Sequence, residues 1–575
     1  MVVLGINNMH EASCALLIDG QIIAAAEEER FSRIKHTSGF PVQAMHYCLE
    51  AAGLRSDDLD MVVAAWRPWV LGLRATLALK SVLASPRIFL AKARRGAGQM
   101  GHEWWELFTL KRLLKQYLGG GRYSVCYLDH HLSHAASAFL CSPFDEAAIL
   151  TVDGAGEEDT TVLWHGNGRK IRKLGAVRLP HSLGQLYSAT TAFLGFKVQE
   201  DEYKVMGLAA MGTPKYAQYL LDNVVALRTD GGFWVKPYFL DYHLARFGRF
   251  SPEVEQLFGQ PRLKGEEISE RHADVAASVQ YVLEQALFNL LRHLHERTRT
   301  PRLGLAGGVA LNCTANGKIF THTPFEQVFI QPAAGDNGTS LGAALYWSNS
   351  GPDRITEPLQ HTYWGPSYNR NRTEAALRKA GVSYTELSED ALIERVAQLL
   401  TEGNVVGWFQ GRMEWGPRAL GARSLLADPR RADIKDKINR IIKKREPFRP
   451  FAPSVLEERA VEFFEGYQPS PFMLFTFPVR SSKRSAIPAV THTDGTARPQ
   501  GVTSDTNPRY YQLIRRFGEL TSIPMLLNTS FNVEEPIVCS PEDALATFLG
   551  CEMNHLVLEN FLVEKSVAAR TPCSP

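Results

Sequence analysis

The sequence predicts an α/β protein of two large domains, the first of them internally duplicated. A chain of 575 residues is too long for a single hydrophobic core. Short β-branched runs alternate with segments of helical period along most of the chain. A unit of strand, polar loop and hairpin near the N-terminus returns about 145 residues later. Together these observations indicate an α/β fold in which one structural unit is repeated.

The first copy of the repeated unit lies at the N-terminus. Val2–Ile6 and Cys14–Ile18 are short apolar runs, separated by a polar loop at 7–11. An Asp-Gly turn at 19–20 connects the second run to the return strand Gln21–Ala26. This order predicts a strand followed by a β-hairpin.

The second copy has the same order of features. Ala148–Val152 is an apolar strand that ends in Asp153, and a polar loop follows it. Thr160–Trp164, a turn at 165–168 and the return strand Arg169–Leu174 complete the unit. Two such units facing each other across a cleft form the phosphate-gripping loops of actin-like ATPases, so an actin-like first domain is predicted. The alternative is a pair of unrelated hairpins, because any β-rich protein contains them.

The remainder of the first domain is predicted to be mainly helical. The predicted elements are a helical insertion at 64–120, helices in 184–225 and 270–300, a strand at Leu303–Val309 that ends in a glycine turn, a strand at Val328–Gln331 and a helix at Ser340–Trp347. A cluster of turn-forming residues at 349–353 predicts the domain boundary. The first domain is therefore expected to cover residues 1–352 and the second, which again alternates helices and strands, residues 353–575.

The composition excludes several classes of function. Lys and Arg number 63 and Asp and Glu 61, and the net charge of +2 predicts no binding to nucleic acid or to an acidic membrane surface. The 8 cysteines form no C-x-x-C pair, which indicates reduced thiols in a cytoplasmic protein. Neither a signal peptide nor an apolar run of about 18 residues is found, so secretion and a membrane span are not expected.

The clearest candidate for a functional site is a pair of histidines. His130 and His134 are four residues apart, so a helix would place both imidazoles on one face, close enough to share a metal ion. Asp153 and Asp336 are the carboxylates expected to complete a His₂Asp₂ site for iron, manganese or zinc. His131 is an alternative ligand, because residues three apart also share a helix face. The opposing interpretation is a helix N-terminus with solvent-exposed histidines.

Three further features belong to the same predicted cleft. The glycine pair Gly307-Gly308, with Asn312 after it, lets the backbone approach a nucleotide closely, although a tight structural turn is an equal alternative. His10, in the first polar loop, is a candidate general base for an acceptor hydroxyl, since histidine side chains exchange protons near neutral pH. Lys204 is either a phosphate ligand or an ordinary solvated lysine.

The second domain is rich in arginine beside glycine and proline. These combinations form rigid loops that hold guanidinium groups for phosphate or carboxylate oxygens, which predicts a phosphate or nucleotide site. The blocks lie at 411–424, 443–451 and 492–498. The segment NTSFN at 528–532 follows an apolar strand and offers hydroxyl and amide groups to a polyphosphate.

These segments resemble the carbamoyltransferases of antibiotic and nodulation-factor biosynthesis, the NodU/CmcH family. The N-terminal run that carries the resemblance includes His10 and EEERFSRIKH at 27–36, and the matching segments extend in the family's order from residue 4 to about residue 560. The other matching segments are DHHLSHAAS, TVDGAGE, EYKVMGLA, GGVALN, WGPRALGARS, REPFRPFAP, HTDGTAR and NTSFN. Each is several residues long, so chance is a poor explanation.

The resemblance implies a two-domain α/β enzyme. Its first domain would be the duplicated actin-like domain, similar to that of tRNA threonylcarbamoyl transferases, and its second a YrdC-like α/β domain that forms carbamoyl adenylate. The implied substrates are carbamoyl phosphate and ATP, the latter with Mg²⁺. Carbamate from carbamoyl phosphate would attack ATP, and the carbamoyl adenylate would then transfer its carbamoyl group to a hydroxyl of a small-molecule natural product, as in antibiotic biosynthesis and other secondary metabolism.

The resemblance also implies roles for individual residues. His10 would be the catalytic base beside the acceptor. The ligands of the divalent metal, iron above all, would be His130, His134, Asp153 and Asp336. The nucleotide contacts in the first domain would be Lys204, Gly307, Gly308 and Asn312. The residues expected to bind carbamoyl phosphate and ATP in the second domain are Arg418, Arg423, Lys443, Arg449, Arg498, Asn528, Ser530 and Asn532.

The chain departs from the family at two places. Glu11 follows His10 where the family often has aspartate, and the segment 533–538 lacks an arginine that some relatives carry, so their phosphate contact is not expected here. The main alternative is a tRNA threonylcarbamoyl-type transferase, disfavoured by the second domain and by the absence of a basic face. A cysteine-modifying maturation protein and a non-catalytic nucleotide-binding regulator are weaker alternatives. The acceptor, the metal and the oligomeric state, a homodimer among the options, stay open.

Overall fold

The structure is a computed structural model that describes residues 1–70, 72, 73, 75, 76, 79, 99–236, 251–349 and 356–565. The chain divides into two compact units. The first unit comprises Met1–Ser32 and His36–Leu359, and the second comprises Arg33–Lys35 and Gln360–Pro575. A short segment from the N-terminal region therefore belongs to the second unit. The domain boundary predicted at 352/353 lies outside the described residues.

The first sheet of the first unit is built from the N-terminal strands. These strands are β1 (Val2–Asn7), β2 (Ser13–Ile18), β3 (Gln21–Glu27), β4 (Met61–Ala64) and β5 (Ser124–Tyr127). They lie in the order β3-β2-β1-β4-β5. The first three strands pair antiparallel, whereas β4 runs parallel to both β1 and β5.

The second sheet repeats this plan. The next strands along the chain are β6 (Glu146–Val152), β7 (Asp159–Asn167), β8 (Lys170–Arg178), β9 (Val225–Leu227), β10 (Phe233–Val235), β11 (Arg302–Ala306) and β12 (Gln327–Ile330). Five of them lie in the order β8-β7-β6-β11-β12, with antiparallel pairs on one side of β6 and parallel pairs on the other. Strand order and direction match the first sheet, so the duplicated actin-like fold is confirmed.

The predicted strands form, but their ends differ from the prediction. Strand β7 continues to Asn167 because its antiparallel pairing with β8 extends to the Asn167–Lys170 pair. The turn is therefore shorter than the predicted 165–168. Strand β11 ends at Ala306 instead of Val309, because Gly307 has φ 93° and turns the chain into a short 3₁₀ segment at Gly308–Leu311.

Helices cover both sheets of the first unit. They are α1 (Glu29–Ser32), α2 (Val42–Ala51), α3 (Gln99–Phe108), α4 (Leu110–Leu118), α5 (His130–Phe139), α6 (Leu183–Phe193), α7 (Glu202–Ala209), α8 (Ala217–Asn223), α9 (Pro252–Phe258), α10 (Glu270–Thr298), α11 (Cys313–Gly317), α12 (Ile319–His322) and α13 (Asn337–Ser348). The predicted helical region 184–225 thus contains three helices, and the region 270–300 contains one long helix.

Helix α13 lies unusually close to its neighbours. A Cβ on Gly5 of β1 would lie 1.9 Å from the carbonyl oxygen of Ser340, and a Cβ on Gly342 would lie 1.8 Å from the carbonyl oxygen of Ser133 in α5. Neither position has room for a side chain. The two glycines let the backbone of α13 rest directly on β1 and α5, which fixes the start of α13 relative to α5.

The described part of the predicted insertion at 64–120 is helical after residue 98. Leu107, Leu110 and Leu114 of helices α3 and α4 are buried and join the core over the first sheet. Trp66 is buried in the same core, whereas Trp105 is largely exposed. Most of 71–98 lies outside the described residues.

The second unit is built on one mixed sheet of eight strands. The strands are β13 (Tyr384–Glu386), β14 (Val406–Phe409), β15 (Arg423–Ala427), β16 (Ala452–Leu456), β17 (Phe477–Pro478), β18 (Thr496–Ala497), β19 (Gln500–Val502), β20 (Met525–Ser530), β21 (His555–Leu558) and β22 (Phe561–Glu564). The sheet order is β13-β22-β21-β14-β15-β20-β16-β19, and β17 and β18 pair separately. The second unit is therefore an α/β domain, as predicted.

The helices of the second unit are α14 (Arg370–Ala380), α15 (Glu389–Thr401), α16 (Asp433–Asp436), α17 (Pro508–Thr521) and α18 (Pro541–Gly550). Helices α15, α17 and α18 pack on the sheet, and α14 packs on α18. A π-helical turn at Lys437–Ile442 leads into Lys443. Buried leucines of α15 and α17 form a core with Trp408 and Tyr510. Across the described part of the chain, the length and hydropathy of the helices rule each of them out as a membrane span.

Candidate metal centre and anion site

Helix α5 carries both predicted histidine ligands. The carboxylate of Asp129 caps the helix by accepting a hydrogen bond of 2.8 Å from the backbone N–H of Leu132. Alanine and serine fill most of the remaining turns, so the helix packs closely against β6, β11 and α13. His130 and His134 lie on its inner face and are fully buried. The interpretation as solvent-exposed histidines is therefore wrong.

The four predicted metal ligands converge on one point. Nε2 of His130 lies 3.0 Å from Oδ2 of Asp153 and 3.5 Å from Oδ1 of Asp336. Nε2 of His134 lies 3.4 Å from the same oxygen of Asp153 and 3.5 Å from that of Asp336. One ligand atom from each of the four residues lies within 4.8 Å of all the others. Asp153 follows β6 and Asp336 precedes α13, so the ligands come from three distant parts of the chain.

The spacing of these atoms fits a divalent cation. Bonds of about 2.1 Å to a tetrahedral metal place neighbouring ligand atoms about 3.4 Å apart, close to the separations found here. Nε2 of His134, which faces the two carboxylates, is buried and makes no hydrogen bond among the described residues. A buried imidazole nitrogen without a partner is costly unless a ligand satisfies it. The chemistry and placement of the donor set therefore fit a metal ion.

The electrostatics of the cluster agree with a cation site. Burial raises the pKa of Asp153, but the hydrogen bond with His130 and the positive charges of His130 and His134 hold it well below its usual range. Burial lowers the pKa of His134, but Asp153 and Asp336 raise it to about 9. Burial and the charge of Asp153 raise the pKa of Asp336. Two carboxylates thus favour a positive charge at the point where the four side chains meet.

His131 is not one of the converging ligands. Its Nδ1 lies 2.9 Å from Oγ1 of Thr151 and its Nε2 lies 3.0 Å from the carbonyl oxygen of Asp159. Burial and the charges of His130 and His134 lower its pKa to about 4. His131 is therefore a neutral side chain that ties α5 to the neighbouring strands, and the alternative in which it replaces a ligand is wrong.

A carboxylate that the sequence did not single out supports the metal ligands. Glu157 is buried and accepts hydrogen bonds from the backbone N–H groups of His130, at 3.2 Å, and Arg67, at 3.0 Å. The guanidinium of Arg67 also pairs with Glu157 and Asp129. These contacts fix the first turn of α5. Glu157 is the last residue of the segment TVDGAGE, which also contains Asp153. Its place in this segment was the only sequence signal for it.

The residues of the first unit that were predicted to bind a nucleotide differ from one another in their contacts. The backbone N–H of Gly308 donates to Oδ1 of Asp153 at 3.3 Å, so the glycine pair approaches the metal ligands. Nζ of Lys204 lies 3.0 Å from Asp201. The amide of Asn312 is already paired with Gln280, at 2.8 and 3.0 Å, and caps α11. Asn312 therefore has a structural role that the sequence did not predict.

His10 lies beside the metal cluster. The side-chain amide of Asn7 donates to the carbonyl oxygens of His10, at 2.8 Å, and Asp336, at 3.1 Å. This single amide joins the first polar loop to the turn that carries a metal ligand. Asn7 was missed by the sequence analysis, although it ends β1 much as Asp153 follows β6 in the second copy. His10 also lies next to Glu11 and His36.

The second unit contains a buried lysine among predicted anion ligands. Lys443 is 2% exposed, and its Nζ donates to Oγ of Ser530 at 3.2 Å and to Oδ1 of Asn532 at 2.9 Å. Burial, and then the charges of Arg445, Lys35 and Arg449, hold the pKa of Lys443 well below its usual range. Three predicted residues, Lys443, Ser530 and Asn532, are thus brought together. With Lys35, Arg445 and Arg449, whose charges act on Lys443, they form a group of side chains that we call the cationic pocket. Lys35 was missed as a contributor because it lies far away in the chain.

The other predicted anion ligands differ in their burial and in their partners. Nε of Arg449 lies 2.8 Å from Oε2 of Glu446, and the charge of Arg449 acts on Lys443. Arg418 and Arg498 are half-buried. Burial, opposed by Asp494 and assisted by Arg498, lowers the pKa of His492 to about 4. Arg449 thus belongs to the same cationic pocket as Lys443.

Two predicted anion ligands have structural roles instead. Arg423 is fully buried, its guanidinium lies 3.6 Å from the ring centre of Phe409, and its N–H groups donate to the backbone carbonyls of Gln410, Ala422, Pro366 and Gly411 at 2.9–3.1 Å. The amide of Asn528 donates to Ala419, Ser454 and Gln500. Both side chains hold loops together, which corrects the expectation that they face a phosphate.

Family models match both parts of the chain. Residues 2–345 match the model described as "Carbamoyltransferase N-terminus", and residues 397–565 match the model described as "Carbamoyltransferase C-terminus". An uncharacterized protein of Synechocystis is 43% identical and is aligned over 97% of this chain and 95% of its own length. Nodulation protein NolNO of Sinorhizobium fredii is 42% identical over 98% of this chain and 80% of its own length.

More distant similarities extend the comparison. Nodulation protein U of Sinorhizobium fredii is 29% identical and is aligned over 92% of this chain and 94% of its own length. Among solved structures, component A of (R)-2-hydroxyglutaryl-CoA dehydratase from Acidaminococcus fermentans matches with a TM-score of 0.33 and 15% identity, over 60% of this chain and 97% of that one. HypF of T. kodakarensis matches with a TM-score of 0.32 and 14% identity, over 60% of this chain and 47% of that one. On the strength of the two family models and the full-length relatives, the chain belongs to the carbamoyltransferase family.

Proposed function

We propose that the protein is an ATP-dependent O-carbamoyltransferase that uses carbamoyl phosphate and acts on a hydroxyl of a small-molecule natural product. The observation that carries this proposal is the buried His₂Asp₂ cluster, formed where the two halves of the actin-like domain meet, in a chain of the carbamoyltransferase family. A second, cationic pocket around Lys443 supports a separate step on phosphorylated substrates.

The proposed activation step belongs to the second unit. Carbamoyl phosphate is hydrolysed to carbamate and phosphate, and a carbamate oxygen attacks the α-phosphorus of ATP with release of pyrophosphate. Lys443 and Arg449 bind and orient the phosphate groups, and the hydroxyl of Ser530 completes the contacts. The product, carbamoyl adenylate, has AMP as a good leaving group, which carbamate lacks.

The proposed transfer step belongs to the first unit. The acceptor hydroxyl attacks the carbonyl carbon of carbamoyl adenylate, the bond to the AMP oxygen breaks, and His10 takes the proton of the hydroxyl. His130, His134, Asp153 and Asp336 hold a divalent metal, iron above all, which when bound supplies positive charge for the phosphate of the leaving AMP. Gly308 brings its backbone next to this phosphate-binding region.

The proposal is tested by incubating the protein with ATP, Mg²⁺, labelled carbamoyl phosphate and a panel of hydroxylated metabolites such as sugars, aminoglycosides, polyketides and alkaloids. The expected result is transfer of label to one class of acceptor, detected by mass spectrometry as the addition of one carbamoyl group. AMP and pyrophosphate are expected as equimolar co-products. Release of ADP in place of AMP and pyrophosphate would contradict the adenylate route. Failure of every metabolite in the panel to gain label would contradict the transfer.

A further inference from the structure

A second cluster of titratable side chains lies beside the metal site. One ligand-type atom from each of His10, Glu11 and His36 lies within 4.8 Å of the other two. Nδ1 of His36 lies 3.1 Å from Oε1 of Glu11. The rings of His10 and His36 are stacked, with centroids 5.6 Å apart and an angle of 13° between their planes. The proposed transfer step uses His10 but leaves the other two side chains without a role.

The cluster is held in a strained backbone conformation. Glu11 has φ 55° and His36 has φ 48°, values that residues with a side chain seldom adopt. The side-chain amide of Asn7 stabilises the turn at Glu11 by donating hydrogen bonds to the carbonyl oxygens of both His10 and Glu11. The backbone N–H of His36 donates to Oε2 of Glu29 at 2.7 Å, which holds the second turn. The two facing residues thus have their backbone fixed by hydrogen bonds on both sides of the cluster.

Room for the carboxylate of Glu11 depends on Gly335. A Cβ at this position would lie 2.5 Å from Oε2 of Glu11. Gly335 directly precedes the metal ligand Asp336, so the turn that carries this ligand also makes space for the ion pair. The pair is thus built into the same loop structure as the metal site.

The contacts within the cluster are those of a ring stack and an ion pair. The rings of His10 and His36 are stacked in nearly parallel planes. The close contact between Glu11 and His36 has the geometry of an ion pair.

The surrounding charges favour an ionised pair. Burial raises the pKa of Glu11, but the hydrogen bond from His36 and the charges of His10 and His36 lower it to about 2. Burial lowers the pKa of His36, but the hydrogen bond and charge of Glu11, together with the charges of Glu29 and Glu200, raise it above its ordinary value.

One further carboxyl group acts on this region. Glu103 of α3 interacts electrostatically with His10, and burial raises the pKa of Glu103. Its neighbour Glu106 accepts a hydrogen bond from the amide of Asn8 at 3.1 Å. The described part of the insertion therefore borders the same histidine.

We propose that the Glu11–His36 ion pair positions the ring of His10 for proton transfer from the acceptor hydroxyl. His36 supports the flat face of His10, and Glu11 fixes His36 in turn. His36 and Glu11 are positioning residues, since they act through His10 and need not touch the acceptor. This role rests on the proposed function, in which His10 is the base.

The test compares His36→Leu, which removes both the ring and the donor, with His36→Gln, whose amide can still donate to Glu11. The matched control is His46→Gln, because His46 is an exposed histidine of α2. Each variant is assayed with ATP, carbamoyl phosphate and the acceptor that wild type carbamoylates. The kcat of transfer is expected to fall roughly 10- to 100-fold in His36→Leu, with KM for the acceptor nearly unchanged. In His36→Gln, kcat is expected to lie between the values of His36→Leu and wild type. In His46→Gln, kcat is expected to equal that of wild type.

A second readout needs no acceptor. Diethyl pyrocarbonate modifies neutral imidazoles, and peptide mass spectrometry gives the rate at His10 alone. A faster rate is expected in His36→Leu than in wild type, because a His10 ring that is no longer held by the stacking contact can turn its nitrogen atoms toward the reagent. This measurement tests the positioning role even if the wild-type protein carbamoylates nothing in the panel, an outcome that would refute only the proposed function.

Two results would overturn the positioning role. The first is wild-type kcat and wild-type His10 reactivity in a folded His36→Leu variant. The second is a loss of one metal equivalent in the His36 variants by elemental analysis, which would make His36 a metal ligand. Pyrophosphate release from ATP and carbamoyl phosphate, which the proposal leaves unchanged, checks that the second unit is intact.

Discussion

At the scale of single residues, the surroundings of buried Lys443 predict how the second unit responds to a bound anion. Its ammonium group is held by a hydroxyl and an amide oxygen, while the nearest charges that act strongly on it are mostly positive. A buried cation in such surroundings is destabilised, so its pKa is lowered. An anion bound in the pocket would remove the repulsion and restore the charged form. Binding of an anion should therefore be linked to uptake of a proton by Lys443.

This linkage gives a pH prediction. Because the pKa of Lys443 is lowered in the free protein and raised by a bound anion, anion affinity should decrease as pH rises through the range where free Lys443 loses its proton. Sulfate is the suitable probe, since it does not itself titrate in this range. Calorimetry in buffers of different ionisation enthalpy should detect proton uptake on binding.

Substitution tests the assignment to Lys443. Lys443→Met should weaken sulfate binding by about 10- to 100-fold, the value of a hydrogen bond to a charged group, and abolish the proton uptake. Lys379→Met, at an exposed lysine of α14, is the control and should bind as wild type does. Proton uptake that persists in Lys443→Met would assign the linkage to another group.

Single residues also mark the limits of prediction from sequence. The cluster of four candidate metal ligands could be predicted because histidines four apart on a helix, and aspartates beside strand ends and turns, form recognisable local patterns. The role of Arg423 could not be predicted from the sequence. Its N–H groups donate to the backbone carbonyls of residues 366, 410, 411 and 422, and only the folded loops bring these carbonyls together. An arginine among glycines and prolines is equally compatible with a phosphate ligand and with a brace between loops.

Among the secondary-structure elements, helix α13 connects two parts of the candidate metal site. Asp336 lies at its start, and its middle rests on α5, which carries His130 and His134. The approach of the two helices depends on Gly342, where a Cβ would collide with the carbonyl oxygen of Ser133. Helix spacing and ligand spacing are thus coupled.

Gly342→Ala should therefore affect metal binding as well as stability. The added methyl group must push α13 away from α5, which should lower the free energy of unfolding by about 1–3 kcal/mol and reduce the metal retained per chain. Thermal unfolding and elemental analysis measure the two effects. Gly550→Ala is the control, because a Cβ at that helical glycine meets no atom within 4 Å. Wild-type metal content in Gly342→Ala would show that the site does not depend on this contact.

The elements themselves were largely predictable. Alternation of apolar residues and strong turn signals located the strands of both copies, since these strands are short and bounded by polar loops. Their ends were less accurate, because the length of β7 depends on its pairing with β8 and the end of β11 on the φ of Gly307. Such features depend on neighbouring strands and are not encoded in local propensity.

At the scale of the whole molecule, the repeated sheet order was predictable from the repeated hairpin unit. Two features of the site were not. Lys35 belongs to the second unit and acts on Lys443, although most neighbouring residues in the chain belong to the first. Asn7 joins the His10 loop to the Asp336 turn across more than three hundred residues of sequence. Both depend on the path of the chain through the complete fold, which periodicity does not reveal.

In the proposed function, the carbamoyl group is activated in the second unit and transferred in the first. Variants at the two sites should therefore fail differently. His130→Ala removes a metal ligand of the first unit, whereas Arg449→Ala removes a cation of the pocket around Lys443. Arg378→Ala, at an exposed arginine of α14, is the matched control.

The most direct test measures pyrophosphate and carbamoylated product in parallel for wild type and these folded variants, with ATP, carbamoyl phosphate and the acceptor found in the panel. His130→Ala should release pyrophosphate and form no product, Arg449→Ala should do neither, and Arg378→Ala should do both as wild type does. Product formation by Arg449→Ala at the wild-type rate, or undiminished product formation by His130→Ala, would contradict the account.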